Sequence, residues 1–492
     1  MFYHVLFYYI TWTFLMERSI KDIDREITGE IYNSDESWKN IVSLCGFGNR
    51  FGGLKSEKQA VEHILEKFKE YDLDNPHLEE FEYLNWKRGS SKLEVTAPVK
   101  REIPCIGQMY SPSGVVEAPL IDGEYGHPDV FKRLGDKVKG AIVIVQRPSQ
   151  EAIRAGKALP GTPSTMYTRV VQAGAGGFIW WNQTPGQSAL LRTMHYNLQG
   201  EIPATGVSYE DGRVLVDLLE KGPVTLKITE KHKVKKMKSW NVVAEIRGTS
   251  RSDEIVFCGA HFDGVDITQG AFDDAGGAVV VMEAARALAR HKGFFKRTLR
   301  FATFSLEEWG LIGSFAYMQA HKEEMKDIKF MWNLDGAAGA GVAGLGITLQ
   351  GHPELIPYFK TIADDMKLPY KMAVADGFGL HSDHLPFLLQ GIPTASASGS
   401  DHERAAGWSH LTGWSHTVAD TIDKMRPEFL RSAAITVARV LMRVANSDEI
   451  PARHLTIDET KKLIDDRGYT ERLYNLRYRS PEELAKYGVF DY

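Results

Sequence analysis

Cysteine is scarce. Cys45, Cys105 and Cys258 are the three thiols of a 492-residue chain. An odd number at such wide spacings supports neither a disulfide framework nor a thiolate zinc site. A basic excess is also missing: 59 Lys and Arg face 64 Asp and Glu, a formal net charge of −5. That balance offers no field to hold a nucleic-acid backbone. No apolar run reaches the ~20 residues that a membrane-spanning helix needs, and no repeat or low-complexity tract stands out. The apolar, aromatic residues 1–15 (MFYHVLFYYITWTFL) lack the basic start and small-residue cleavage site of a signal peptide. Either translation begins at Met16 or this is a degenerate leader. The weak leader and the few thiols point to the cytoplasm, with secretion the alternative if residues 1–15 act as a signal.

What is present is ordinary globular composition, 43% apolar and 25% charged, which excludes disorder as the main state. Residues 56–70 read as a helix. Ser56 and Gln59 form a capping box, and Ala60, Val61, Ile64, Leu65 and Phe68 form one stripe. HLEEFEYL and SKLEVTAP follow as strand-like segments. Residues 106–232 differ in texture, being rich in Gly and Pro with short apolar runs. GAIVIV (140–145) and GGFIWW (176–181) read as buried strands, and IPATGVSYEDGRVLVDLLEKG as a strand followed by a helix. This stretch reads as a separate small α/β unit.

From about residue 238, strands (NVVAEIRG, EIVFCGAH, TLRFATFS, FMWNLD, GITLQG, IPTASAS) alternate with helices. The helices are AGGAVVVMEAARALARH, the segment from Glu308 to about His321, and PEFLRSAAITVARVLMRVA. Such alternation predicts an α/β fold, a mainly parallel sheet covered by helices on both faces. Ligands of such sheets bind at the carboxyl ends of the strands. The expected division is a domain from 17–105 and 233–450, an insert at 106–232 and a charged helical extension at 451–492.

Chemistry-bearing residues gather at those strand ends. They are His261 and Asp263, Asp273 and Asp274, Glu307 and Glu308, Asp335 and His416. Singly, each has an ordinary explanation. A histidine is usually a satisfied core residue, and acidic pairs are usually helix starts. Together they put two imidazoles and several carboxylates on one rim, where a cation is needed to offset the charge. Imidazole and carboxylate without thiolate suit Zn²⁺, with Mn²⁺ or Co²⁺ as alternatives.

The ordered motifs are H-F-D (261–263), F-D-D-A-G-G (272–277), E-E-W-G-L-I-G-S (307–314), N-L-D (333–335), S-D-H-L-P-F (382–387) and H-T-V-A-D-T (416–421). This set resembles the co-catalytic zinc aminopeptidases of peptidase family 28. Residues 106–232 resemble the protease-associated domain that family members often carry, most clearly in LGDKVKGAIVIV and IPATGVSYEDG. The resemblance implies a zinc-exopeptidase sheet and two Zn²⁺ per chain. His261, Asp273 and Asp335 would hold one ion. Asp273, Glu308 and His416 would hold the other, with Asp273 bridging. Glu307 would be the general base, and Asp263 would accept a hydrogen bond from His261. A cis Asp273–Asp274 peptide is implied as well.

The implied function is exopeptidase, aminopeptidase first and dipeptidase or carboxypeptidase second. A cyclase-like acyltransferase and a metal-free receptor are the remaining classes. Ser415 stands where many aminopeptidase relatives have Tyr, and the glutamate-carboxypeptidase-like branch shares the Ser-His pair. His381 replaces an Arg of the relatives. Asp383 reads as a supporting residue and His384 as packing. Trp309, Phe378, Trp408 and Trp414 are candidates for an apolar side-chain pocket, with ordinary packing under the helix the equal alternative for Trp309. Asp401, His402 and His410 lie in a loop that is a candidate specificity element. The expected partner is a peptide substrate, without nucleic acid or membrane span. A homodimer is left open.

Overall fold

The computed structural model describes residues 18–159, 162–195, 197–339, 344–399, 414–470 and 473. Residues 1–15, the loop with Asp401, His402, Trp408 and His410, and half of the expected C-terminal helical extension lie outside them.

The fold is the expected α/β one. Arg297–Phe304, Arg251–His261, Ile328–Asn333 and Thr394–Gly399 lie side by side in that order, all parallel. Leu345–Gln350 is antiparallel to the last of these, and Val374–Gly377 closes that edge. Continuous apolar sequence such as IVFCGA is what a strand covered on both faces requires, and Ile255–His261 are buried throughout. Gly276–Ala289, Pro427–Asn446 and the N-terminal helices Ile20–Tyr32, Glu36–Gly46 and Lys55–Glu70 pack one face. Ile312–Ala320, Leu385–Leu389 and Ile457–Asp466 pack the other. Parallel strands end on the same side, so His261, the 305–308 turn and Asp335 reach one rim.

On the other side of the sheet a long antiparallel ribbon, Asp74–Ala97 with Thr225–Ile246, leaves the body. Its far half pairs with Gly114–Asp122. Parallel strands Ile142–Gln146, Gly177–Trp181 and Ala204–Val207 extend the sheet from there. Thr225–Ile246 runs unbroken through residue 232. The inserted unit is therefore carried on a shared ribbon, without a linker at that point.

Two local expectations fail. The helix starts at Lys55, and Ser56 caps nothing. Its hydroxyl donates to the carbonyl of Asn49 in the preceding loop. The helix expected from Glu308 starts at Ile312. Leu306, Gly310 and Leu311 all have positive φ, and Trp309 is buried against Phe51. Residues 306–311 form a tight turn that aims two carboxylates.

Behind that turn, Glu57 is 2% exposed. It accepts from Gly53 N (2.6 Å), Ser239 Oγ (2.5 Å) and Ser305 Oγ (3.1 Å). Burial pushes its pKa up to about 7 from an ordinary 4.5. Between those values the folded state holds one proton more than the unfolded chain, so stability falls as pH rises. At roughly 1.4 kcal/mol per unit, the fall sums to about 3 kcal/mol. In urea unfolding, Glu57→Gln should therefore gain on the wild type between pH 5 and pH 8. A difference independent of pH would refute a buried proton on Glu57.

Candidate metal centre

The strand Arg251–His261 delivers a fully buried imidazole. His261 Nδ1 donates to the main-chain oxygen of Asp263 at 3.2 Å, with Asp263 Oδ1 at 3.4 Å. That fixes the tautomer and turns the Nε2 lone pair inward. Nε2 is buried without a hydrogen-bond partner. It lies 3.3 Å from Asp273 Oδ1, 3.9 Å from Asp335 Oδ1 and 4.0 Å from Glu307 Oε2.

His416 faces it across Asp273. Its Nε2 is 3.3 Å from Asp273 Oδ2 and 3.2 Å from Glu308 Oε2. Its Nδ1 donates to the carbonyl of Leu191 at 2.9 Å, and the Leu191 amide donates back to the carbonyl of His416 at 3.1 Å. A segment of the inserted unit thus sets the tautomer of the second histidine. The result is two groups of donors, His261–Asp273–Asp335 and Asp273–Glu308–His416. The donor atoms of each lie within 4.8 Å of one another. Asp273 is common to both.

Supporting contacts hold each carboxylate. The Asp263 carboxylate accepts the backbone N–H groups of Glu307 (3.0 Å) and Glu308 (3.3 Å), so it pins the turn as well as standing beside His261. The Asp273–Asp274 peptide is cis. Asp274 Oδ1 accepts from Gly277 N (2.8 Å) and Gly336 N (3.2 Å), joining the helix start to the Asp335 loop. Ser382 Oγ donates to Asp335 Oδ2 at 2.7 Å. Ser415 Oγ donates to Asp273 Oδ2.

Three residues that the sequence reading passed over complete the frame. Asp420 accepts the backbone N–H groups of Phe272 (2.8 Å) and Asp273 (3.1 Å). Buried Arg50 donates to the carbonyls of Phe262 (2.5 Å), Gln269 (2.5 Å) and Gly270 (2.7 Å), locking the loop between His261 and Asp273. Arg192 Nη1 lies 2.8 Å from His416 Nε2. Asp420 stands in the H-T-V-A-D-T motif and was within reach of sequence reading. Arg50 carries no local pattern, and the Leu191 contact is made by backbone alone.

The crowding has electrostatic consequences. Burial, reinforced by the charges of Glu308 and Asp335, pushes the Glu307 carboxyl well above the usual range against the opposing pull of His261. Glu308 is pushed up in the same way, by burial and then Asp273. The residues fit a divalent metal. The donors are imidazole and carboxylate, both histidines turn Nε2 inward, and His261 Nε2 and Glu308 Oε1 are buried without partners.

A cleft of about 510 Å³ opens over these groups. Its apolar lining includes Phe272 and Leu311, and His381 also lines it. The expected aromatic pocket is not found among the described residues. Trp309 is packed among Phe51, Tyr83 and Tyr110, Phe378 packs on Tyr469, and Trp414 carries Lys424 over its ring. Trp408 lies outside the described residues. His384 is buried, with Nε2 2.9 Å from the carbonyl of Gly379. Asp383 is buried beside the site.

A parallel α/β sheet with imidazoles and carboxylates at its strand ends defines the zinc metallopeptidase class. Residues 241–441 match the model of Peptidase family M28, and residues 116–215 match the PA domain. The chain thus carries an M28-type peptidase domain, with a PA domain ahead of the matched segment. Carboxypeptidase Q of Mus musculus is 24% identical over 476 residues, covering 87% of this chain and 93% of that protein. Leucine aminopeptidase 2 of Trichophyton equinum is 26% identical over 357 residues, covering 70% and 67%. Among solved structures, a Peptidase M28 precursor from Shewanella amazonensis SB2B has a TM-score of 0.75 at 22% identity, covering 89% of this chain and 99% of that one. An aminopeptidase from Aneurinibacillus sp. strain AM-1 has a TM-score of 0.66 at 25% identity, covering 88% and 97%.

Proposed function

We propose that the protein is a dinuclear zinc exopeptidase that hydrolyses the peptide bond next to a free terminus. The sharing of Asp273 by two three-residue donor groups, with Glu307 facing them from outside both, carries this reading. His261, Asp273 and Asp335 would hold one ion, and Asp273, Glu308 and His416 the other. Metal bound there would supply Lewis-acid chemistry, a water of lowered pKa and a polarised scissile carbonyl.

Glu307 accepts the proton of the attacking water and passes it to the departing amine as the C–N bond breaks. Asp263 holds the Glu307 backbone in place through the N–H bond. The relatives include both a carboxypeptidase and an aminopeptidase, which supports hydrolysis at a chain end. No helix among the described residues is long and apolar enough to cross a membrane. A cytoplasmic location belongs to the proposal, supported by three unpaired thiols.

The experiment is one short peptide, free at both ends, beside its N-acetylated and C-amidated forms, with zinc-loaded protein and products identified by mass. Release of a terminal residue, abolished by a chelator, is expected. Cleavage only at internal bonds, or none in any form, would overturn the exopeptidase reading.

A further inference from the structure

His416 has a φ of 62°. A β-carbon disfavours that left-handed conformation, so neighbouring contacts must hold it. Leu191 of the inserted unit grips the residue twice. Its carbonyl accepts from ring Nδ1 (2.9 Å), and its amide donates to the His416 carbonyl (3.1 Å).

Leu191 is in turn held by one buried side chain. Gln108, also in the inserted unit, is fully buried. Its Oε1 accepts the backbone N–H of Arg192 (2.8 Å). Its Nε2 donates to the carbonyls of Leu190 and Ile106, both at 3.1 Å. A primary amide can accept and donate at once, so one side chain ties the residues on both sides of Leu191. The pattern is that of an extended segment, whose alternate residues turn their N–H and C=O to opposite edges. Residues 190 and 192 face Gln108, and Leu191 faces His416. Gly206 makes room for the amide, since a β-carbon there would meet Gln108 Nε2 at 2.5 Å. The Met109 N–H to the Arg192 carbonyl (3.0 Å) and the Gln108 N–H to the Ala204 carbonyl (3.0 Å) fix the same segment through its backbone.

We propose that Gln108 is a positioning residue for the Asp273–Glu308–His416 donor group, through which the inserted unit sets the affinity of one of the two ions. This rests on the two-ion reading and adds how its second site is controlled. The effect is one-sided because His261 and Asp335 take their support elsewhere, from Asp263 and Ser382.

The test is zinc titration of the full-length protein and of Gln108→Met, which keeps the length of the side chain and removes all three of its bonds. The variant should bind its second zinc about 10–100-fold more weakly, the range for lost outer partners of a ligand. The first zinc should bind as before. Cobalt substitution should alter the absorption of one site and leave the other unchanged. Arg192→Ala keeps the backbone N–H that Gln108 binds, so it should keep both ions. The wild type gives a check that needs no variant. Coupling is reciprocal, so the second zinc equivalent should slow amide hydrogen exchange across residues 188–194 about 10-fold. Two ions bound by Gln108→Met as tightly as by the wild type would overturn the proposal. So would equal weakening of both, which marks a structural role, loss of the second ion from Arg192→Ala, or exchange at 188–194 that ignores the second equivalent. If the wild type itself holds one ion or none, the two-ion reading falls and the proposal with it.

Discussion

Glu307→Gln is expected to keep its zinc and to lose peptide hydrolysis by about 10²–10⁴-fold, the usual contribution of a positioned acid–base group. Glu307 belongs to neither donor group, and its Oε2 stands 4.0 Å from His261 Nε2. The amide side chain fills the same volume. It cannot accept a proton, and its backbone keeps the bond to Asp263. Glu308→Gln is the control. It alters a donor atom 3.2 Å from His416 Nε2, so metal content should fall together with activity. Elemental analysis of the two purified variants beside their kcat values separates the roles. Loss of zinc from Glu307→Gln with retention in Glu308→Gln would exchange the two assignments.

The sheet was legible because its strands are continuous apolar runs, EIVFCGAH and TLRFATFS, separated by a helix that is apolar on nearly every side. A parallel order then sends their carboxyl ends to one rim, so His261, Glu307, Glu308 and Asp335 could be gathered without coordinates. The 306–311 turn was not legible. Its positive φ values fall on leucines as well as on Gly310, and local propensity favours helix there. Tertiary burial of Trp309 decides the matter.

The inserted unit's part in the site was hidden for a different reason. Leu191 acts through its backbone, and Arg192 is distant in sequence from His416, so neither leaves a spacing signal. The same holds for Arg50, whose work is to bind three carbonyls of a loop more than 200 positions away. Sequence pattern reports residues that recur with the secondary-structure period or cluster in motifs. It is silent on single side chains recruited by folding.

Asp273→Ala and His416→Ala should differ in how much zinc they lose, and that difference counts the ions. Asp273 has one oxygen 3.3 Å from each imidazole. Removing it leaves each donor group with two residues, so zinc content should fall toward zero. Removing His416 leaves His261, Asp273 and Asp335 intact, so about one zinc should remain. Loss of a contact one layer outside the ligands already costs about 10–100-fold in metal affinity, and a direct ligand costs more. The contrast should therefore survive dialysis against a mild chelator. Equal loss in both variants would mean that the groups bind a single ion jointly. Asp273 would then be one ligand among five, and the shared-carboxylate mechanism would fail.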